Sequence, residues 1–297
     1  MRFLFIDRIL QLEQGEWVRG LKHVTLDDPW LYPDDEGRLV FASSLIGESL
    51  GQLAAWNVMA TNDFSFRPVA GVVASACCHR PVYAGETLLL ESFIDCLDER
   101  AVEYHSVAKV GQETVFTVDG ALGPLLPMAQ FIDDAEVRRQ FAEINRPGPW
   151  PVLSEPVTDQ NDLLIPKTSF YQVPMSFDRI MECDPGVSLI AEKRITRSAP
   201  YFPDHFPNNP VLPMTVLLEC KLNLANLFLT RSAFSIPYQF KELRKIKMNE
   251  FVHPGDVVLT YVSVKQQDEQ QLTLRYRSEV EGKRVCVLDV VMMAKGC

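Results

Sequence analysis

Residues 201–219 read Tyr-Phe-Pro-Asp-His-Phe-Pro-Asn-Asn-Pro-Val-Leu-Pro-Met-Thr-Val-Leu-Leu-Glu, and the rest of the chain is organised around them. Prolines at 203, 207, 210 and 213 each lack an N–H and fix φ, which forbids a regular helix or a central strand before Pro213. His205 is held inside that stiff loop. Beyond Pro213 the prolines stop, and Met214 to Leu229 is an almost unbroken apolar run long enough for a buried helix. Glu219 lies within the run, where a carboxylate is costly unless paired or put to use. A constrained loop carrying an imidazole, feeding a buried helix that carries a carboxylate, has the parts of an acid–base site.

Working outward, the chain repeats itself. Asp7-Arg8-Ile9 recurs 171 residues on as Asp178-Arg179-Ile180. At the same offset Gly15 meets Gly186, Lys22 meets Lys193, Thr25 meets Thr196, Pro29 meets Pro200 and Glu48 meets Glu219. Further on, Ala84-Gly85-Glu86 corresponds to Pro254-Gly255-Asp256, and Gly111 to Gly282. Such self-similarity at a fixed period marks a duplicated unit. In each copy a turn at the first glycine is followed by a strand, a Pro-bearing loop and a central apolar helix, which spans 43–59 in the first copy. Strands are predicted after the helix over 87–94, 101–110 and 115–121, and over 257–264, 271–280 and 285–293. One long helix against antiparallel strands is an α+β layer arrangement. The expected organisation is a first domain over 1–121, a Pro-rich linker over 122–167 with one helix at 133–144, and a second domain over 168–297.

Composition narrows the function. At 297 residues the chain has room for two domains, and 47% apolar with 23% charged residues is ordinary for a soluble globular protein. A net charge of −10 argues against nucleic acid as a partner. No apolar run reaches the ~18–20 residues of a membrane span, and the N-terminus lacks a signal-peptide layout. Seven cysteines, at 77, 78, 96, 183, 220, 286 and 297, form no CxxC pair, which fits reduced thiols and a cytoplasmic setting. Neither a metal nor a cofactor is expected, since no metal-binding histidine pattern or phosphate-binding glycine loop occurs.

Phe202, His205, Phe206, Pro207, Pro210, Pro213 and Glu219 fit the pattern F-x-G-H-F-P-G-x-P-x-x-P-G-x-x-x-x-E. The stretch thereby resembles the (3R)-hydroxyacyl-acyl carrier protein dehydratases of the FabA/FabZ type. Phe177-Asp178-Arg179-Ile180 upstream and Phe251-Val252-His253-Pro254-Gly255-Asp256 downstream extend the resemblance over nearly all of the second copy. It implies a double hotdog: two long helices, each wrapped by an antiparallel β-sheet, arranged as a pseudo-dimer. It also implies an acyl carrier protein or CoA thioester as substrate and a place in fatty-acid or polyketide-like biosynthesis. Homo-oligomers of pseudo-dimers are compatible with it. Three glycines of the pattern are Asp204, Asn208 and Met214 here.

In the family the histidine of one subunit faces the helix carboxylate of the other. Carried over, this pairs His205 with Glu48 and leaves Glu219 opposite Asp34, which occupies the position of His205 in the first copy. The alternative pairs His205 with Glu219 inside one copy. Neutral histidine is a suitable base for the C2 proton, and a carboxylic acid in apolar surroundings can protonate the departing hydroxyl. Ser43 and Ser44 occupy a helix N-terminus whose N–H groups suit the thioester oxyanion. Gln52 and Asn223 lie one turn beyond Glu48 and Glu219 and can orient them; Phe206 and Pro213 shape the loop. The plain readings are a structural histidine tied to a backbone carbonyl, a helix carboxylate satisfied by a neighbouring cation or amide, and a solvated Asp34. Lys241, Arg244, Lys245 and Lys247 form either a docking face for an acidic carrier or a strand edge protected by lysines. The rival functions are a hotdog acyl thioesterase and a non-catalytic acyl-binding or scaffold subunit.

Overall fold

A computed structural model describes residues 3–34, 36–150, 174–232 and 234–295. Residues 151–167 of the expected linker, with Pro151, Pro156 and Pro166, lie outside the described residues, as does Cys297.

Each half opens with a hairpin: β1 (Arg8–Glu13) with β2 (Trp17–His23), and β10 (Arg179–Asp184) with β11 (Ser188–Arg194). The repeated residues are those the hairpin geometry needs. Gly15 and Gly186 sit at φ +76° and +77°, a region that penalises any Cβ. Asp7 accepts the His23 N–H at 2.6 Å, and Asp178 accepts the Arg194 N–H at 2.5 Å, so the repeated aspartate pins the end of the second strand. Even the bulge recurs, between Ile9 and Gln11 and between Ile180 and Glu182.

The first half continues with a short ribbon, β3 (Leu31–Pro33) and β4 (Leu39–Phe41), then helix α1 (Ser43–Thr61). It ends in β5 (Phe66–Pro68), β6 (Val72–Cys78), β7 (Thr87–Leu97), β8 (Ala101–Val110), β9 (Glu113–Pro127) and helix α2 (Asp134–Ile144). The second half continues with helix α3 (Met214–Ser232), β12 (Tyr238–Met248), β13 (Val257–Gln267), β14 (Gln271–Val280) and β15 (Lys283–Ala294).

All pairings in the large sheet are antiparallel, in the order β1-β2-β7-β8-β9-β6-β12-β15-β14-β13-β11-β10. Each first-half strand in this order has its counterpart at the mirrored place in the second half, so the order is palindromic about the β6–β12 pair, while β3, β4 and β5 belong to the first half alone among the described residues. There Ala76 faces Leu243 and Ser75 faces Arg244. The two central helices pack together in the wrap of this sheet. Leu45, Ile46, Leu50 and Leu53 of α1 and Leu217, Cys220, Ala225 and Phe228 of α3 are fully buried. Helices apolar on every side must be enclosed in this way. The architecture is the expected α+β double hotdog, a pseudo-dimer within one chain.

Three local expectations change. β12 is no strand edge, because it is hydrogen-bonded to β6 on one side and β15 on the other; lysine protection of an open edge is therefore not the role of its basic residues. β9 runs on to Pro127, beyond the expected linker start at 122, because β5 supplies a partner for residues 125–127. The helix expected in the linker packs onto the core: Phe141 of α2 meets Trp56 and Phe64 edge-on or tilted at 5.8 and 5.2 Å. No helix among the described residues is long and apolar enough to cross a membrane.

Candidate active site

The proline loop is closed on itself before it reaches α3. Val211 N–H donates to His205 O at 3.0 Å, His205 N–H to Tyr201 O at 3.0 Å, and Leu212 N–H to Val252 O at 2.7 Å. Two of the replaced glycines have structural work. Asp204 accepts the Phe3 N–H at 2.7 Å, and the Asn208 side chain donates to Asp133 at 3.1 Å, so both fasten the loop to the first half. Phe206 packs on Phe131 and Val211, and Pro213 accepts the Leu217 N–H at the start of α3.

His205 Nδ1 lies 3.0 Å from the carbonyl oxygen of Val211. A carbonyl only accepts, so Nδ1 carries the proton, and in the neutral ring Nε2 keeps the lone pair. The structural tie and a basic role are thus compatible. Burial holds the imidazole below its ordinary value; the Glu48 charge and the Val211 bond oppose this, while Arg67 adds to it. The ring is neutral at pH 7.

Glu48 comes from α1 in the other half, and it and His205 line the same cavity of about 390 Å³. Its carboxylate is held from both sides, by Gln52 Nε2 on Oε1 at 2.9 Å and by the Thr215 hydroxyl on Oε2 at 2.6 Å. Gln52 is fixed in turn, accepting from Phe5 N–H at 2.9 Å and donating to Phe3 O at 3.2 Å. Apolar residues make up most of the remaining wall, among them Ala55, Met59, Phe116, Ile132, Val137 and Leu218.

Glu219 is placed differently. It is only 8% exposed, does not line the cavity, and accepts the Ser44 N–H at 3.1 Å. Burial raises its pKa, with the Ser44 bonding opposing the rise. The Ser44 amide is accordingly engaged by a carboxylate and is not a free oxyanion donor, a correction to the sequence expectation. The Ser43 hydroxyl lies 4.0 Å from Cys78 Sγ. Asn223 donates to Met175 O at 2.7 Å, securing the start of the second half, and not to Glu219. Asp34 also differs from expectation. Its carboxylate accepts the N–H groups of Glu36 and Arg38 at 2.9 Å and pairs with the Arg38 guanidinium, closing the β3–β4 turn. Burial would raise its pKa, but these bonds outweigh it and hold the carboxyl low. Tyr32 is the group of that ribbon coupled to Glu219: burial first, and then the Glu219 charge, raise its phenol.

Three groups of the cavity were not foreseen from sequence. Thr215 stands where the repeat places Ser44, so each helix start serves the carboxylate of the other helix. Tyr104 on β8 lines the wall, its phenol pushed up to about 12 by burial and then by the Glu48 charge. Arg67 on β5 lies over the Phe206 ring at 3.9 Å from its centroid. The repeat offset reveals the first in retrospect; the other two stand in strands with no motif. The basic residues of β12 do not line the cavity: Leu243, Ile246 and Met248 of this strand do, while Lys247, between the last two, is exposed. Arg244 pairs with Glu242 at 2.8 Å, Lys241 reaches Cys78 O at 3.4 Å, and Lys245 is exposed.

A family model described as FabA-like domain matches residues 172–289. The 3-hydroxyacyl-[acyl-carrier-protein] dehydratase FabZ of Oenococcus oeni is 29% identical over 135 residues, covering 44% of this chain and 96% of that protein. The FabZ of Caldanaerobacter subterraneus subsp. tengcongensis is 33% identical over 121 residues, covering 39% of this chain and 84% of that protein. Over the whole length, the tesB protein of Mycobacterium avium subs paratuberculosis superposes with a TM-score of 0.59 at 9% identity, covering 96% of this chain and 95% of that one, a likeness of fold. With the His–Phe–Pro loop, the helix carboxylates and a relative matched over most of its length, the chain belongs to the FabA/FabZ dehydratase family in a tandem, double-hotdog form.

Proposed function

We propose that this chain dehydrates 3-hydroxyacyl thioesters to trans-2-enoyl thioesters, with His205 as base and Glu48 as acid. The observation that carries the reading is their convergence, from different halves, on one apolar cavity that Glu219 does not line. Nε2 of His205 takes the C2 proton. The released electron pair forms the C2–C3 double bond, the C3–O bond breaks, and the hydroxyl leaves as water with the proton of Glu48. Transfer of the proton from imidazolium to the Glu48 carboxylate through solvent restores both groups. The first half is then a partner that supplies the acid, and the second supplies the base.

Purified protein with 3-hydroxyacyl-pantetheine thioesters is expected to form the conjugated enoyl thioester, followed by its absorbance. Release of free acid and thiol without enoyl product would replace this reading by thioester hydrolysis.

The base must be neutral, and burial places the His205 pKa below its ordinary 6.5. Falling pH protonates the base, so the acidic limb of kcat/KM is expected below pH 6.5. A limb lying above that value contradicts the assignment.

The exposed basic residues of β12 near the cavity are proposed as the docking face for an acidic acyl carrier protein. Reversing the charge at Lys245 and Lys247 is expected to raise KM several-fold for carrier-bound substrate and not for the CoA thioester. Equal effects on both would remove the docking role.

A further inference from the structure

Arg67 is a cationic group of the cavity that the dehydration chemistry does not use. It stands on β5, where Phe66 and Pro68 pair with Pro127 and Leu125 of β9, so its backbone is anchored on a strand. Its guanidinium lies over the Phe206 ring at 3.9 Å, and that ring stacks on His205 with centroids 4.1 Å apart. The cation is therefore one aromatic ring away from the imidazole, inside the same cavity. Its Nε is buried with no hydrogen-bond partner, and no ion pair joins it to a carboxylate among the described residues. Burial lowers its pKa to about 10, partly offset by the Glu48 charge, so it remains a cation at neutral pH.

A guanidinium in an apolar wall is costly, and its stacking on Phe206, with Phe131 beyond, recovers only part of the cost. Glu48 lowers it further while ionised, but both Glu48 oxygens already accept hydrogen bonds from Gln52 and Thr215. In the acid form required by the proposed reaction, Glu48 no longer offsets the charge. A plain alkyl chain would leave Arg67 with nothing to bond. A carboxylate on the chain, a few carbons beyond the reacting pair, would meet a planar fork matched to it.

We propose that the cavity binds acyl thioesters whose chain carries a carboxylate, and that Arg67 is the residue that selects it. This rests on the reading of the cavity as the acyl site, and the test separates the two. The probes are adipoyl- and hexanoyl-pantetheine amides, in which nitrogen replaces the thioester sulfur, so that neither hydrolysis nor dehydration intervenes. By calorimetry the wild-type protein is expected to bind the adipoyl amide about 10- to 100-fold more tightly. In Arg67→Met the ratio falls to about one, and in Arg67→Lys part of it remains. Equal binding of both amides by the wild type, a comparison that needs no variant, overturns the proposal, as does a preference that survives Arg67→Met. In turnover, 3-hydroxyadipoyl- and 3-hydroxyhexanoyl-pantetheine are compared. Equal losses on both in Arg67→Met would assign Arg67 to the reacting carbonyl and overturn chain selection. A wild type that prefers the adipoyl amide yet dehydrates neither substrate would sink the dehydration reading and leave the carboxylate site standing.

Discussion

Replacing His205 by Ala is expected to lower kcat/KM for enoyl formation by about 10²- to 10⁴-fold, the usual contribution of a positioned base. Two different losses can produce such a number, because the ring is both base and loop tie. Its Nδ1–H bonds the Val211 carbonyl, and its faces meet Phe206 and Phe3. His205→Asn separates them: the Asn amide can donate to Val211 O as Nδ1 does, but it offers no basic nitrogen. If chemistry is the role, His205→Asn is as inactive as His205→Ala while melting close to wild type. An Asn variant that regains most of the activity would make His205 a structural residue. The readout pair is steady-state turnover and thermal unfolding by circular dichroism.

The second large effect is a contrast between the two helix carboxylates. Glu48→Gln keeps the shape and the Gln52 and Thr215 neighbours but cannot deliver a proton, and a loss of about 10²- to 10⁴-fold in kcat is expected. Glu219→Gln is expected to keep turnover and to change the pH dependence of stability. The Glu219 pKa is raised in the folded chain. The fold therefore binds this proton more tightly than the unfolded chain does. The stabilisation is complete below the unfolded carboxyl pKa and is lost as pH rises through the folded one. The Tm of Glu219→Gln should consequently gain on that of the wild type as pH rises above the ordinary carboxyl value of 4.5. Loss of turnover in Glu219→Gln with Glu48→Gln active would reverse the pairing and put both catalytic groups in one half.

The duplication was readable because its landmarks are backbone necessities: a glycine at positive φ in each first turn and an aspartate that pins each second strand. The helices were readable because they are apolar on all sides. His205 and Glu48 were legible as candidates through the family motif and the repeat, and both line one cavity. Other parts were hidden for physical reasons. Counting along the repeat put Asp34 in the place of His205, but its short carboxylate bonds its own turn, which a register count does not see. Ser44 looked like a free helix start because nothing in its own helix reveals that Glu219 of the other helix reaches it. Arg67 and Tyr104 reach the cavity from strands whose neighbours in space are set by sheet order, and β12 became an interior strand only once both halves joined.

The β6–β12 seam has a consequence for how this molecule behaves on dilution. A site shared between two separate subunits vanishes when they part, and its occupancy follows subunit concentration. Here the two contributors are joined in one polypeptide, so their pairing is unimolecular and survives at any protein concentration. Tethering also releases a genetic constraint: in a symmetric dimer every substitution is made twice, whereas here each copy can change alone. The loop histidine accordingly stands in the second copy alone, at 205, with Asp34 at the matching position of the first.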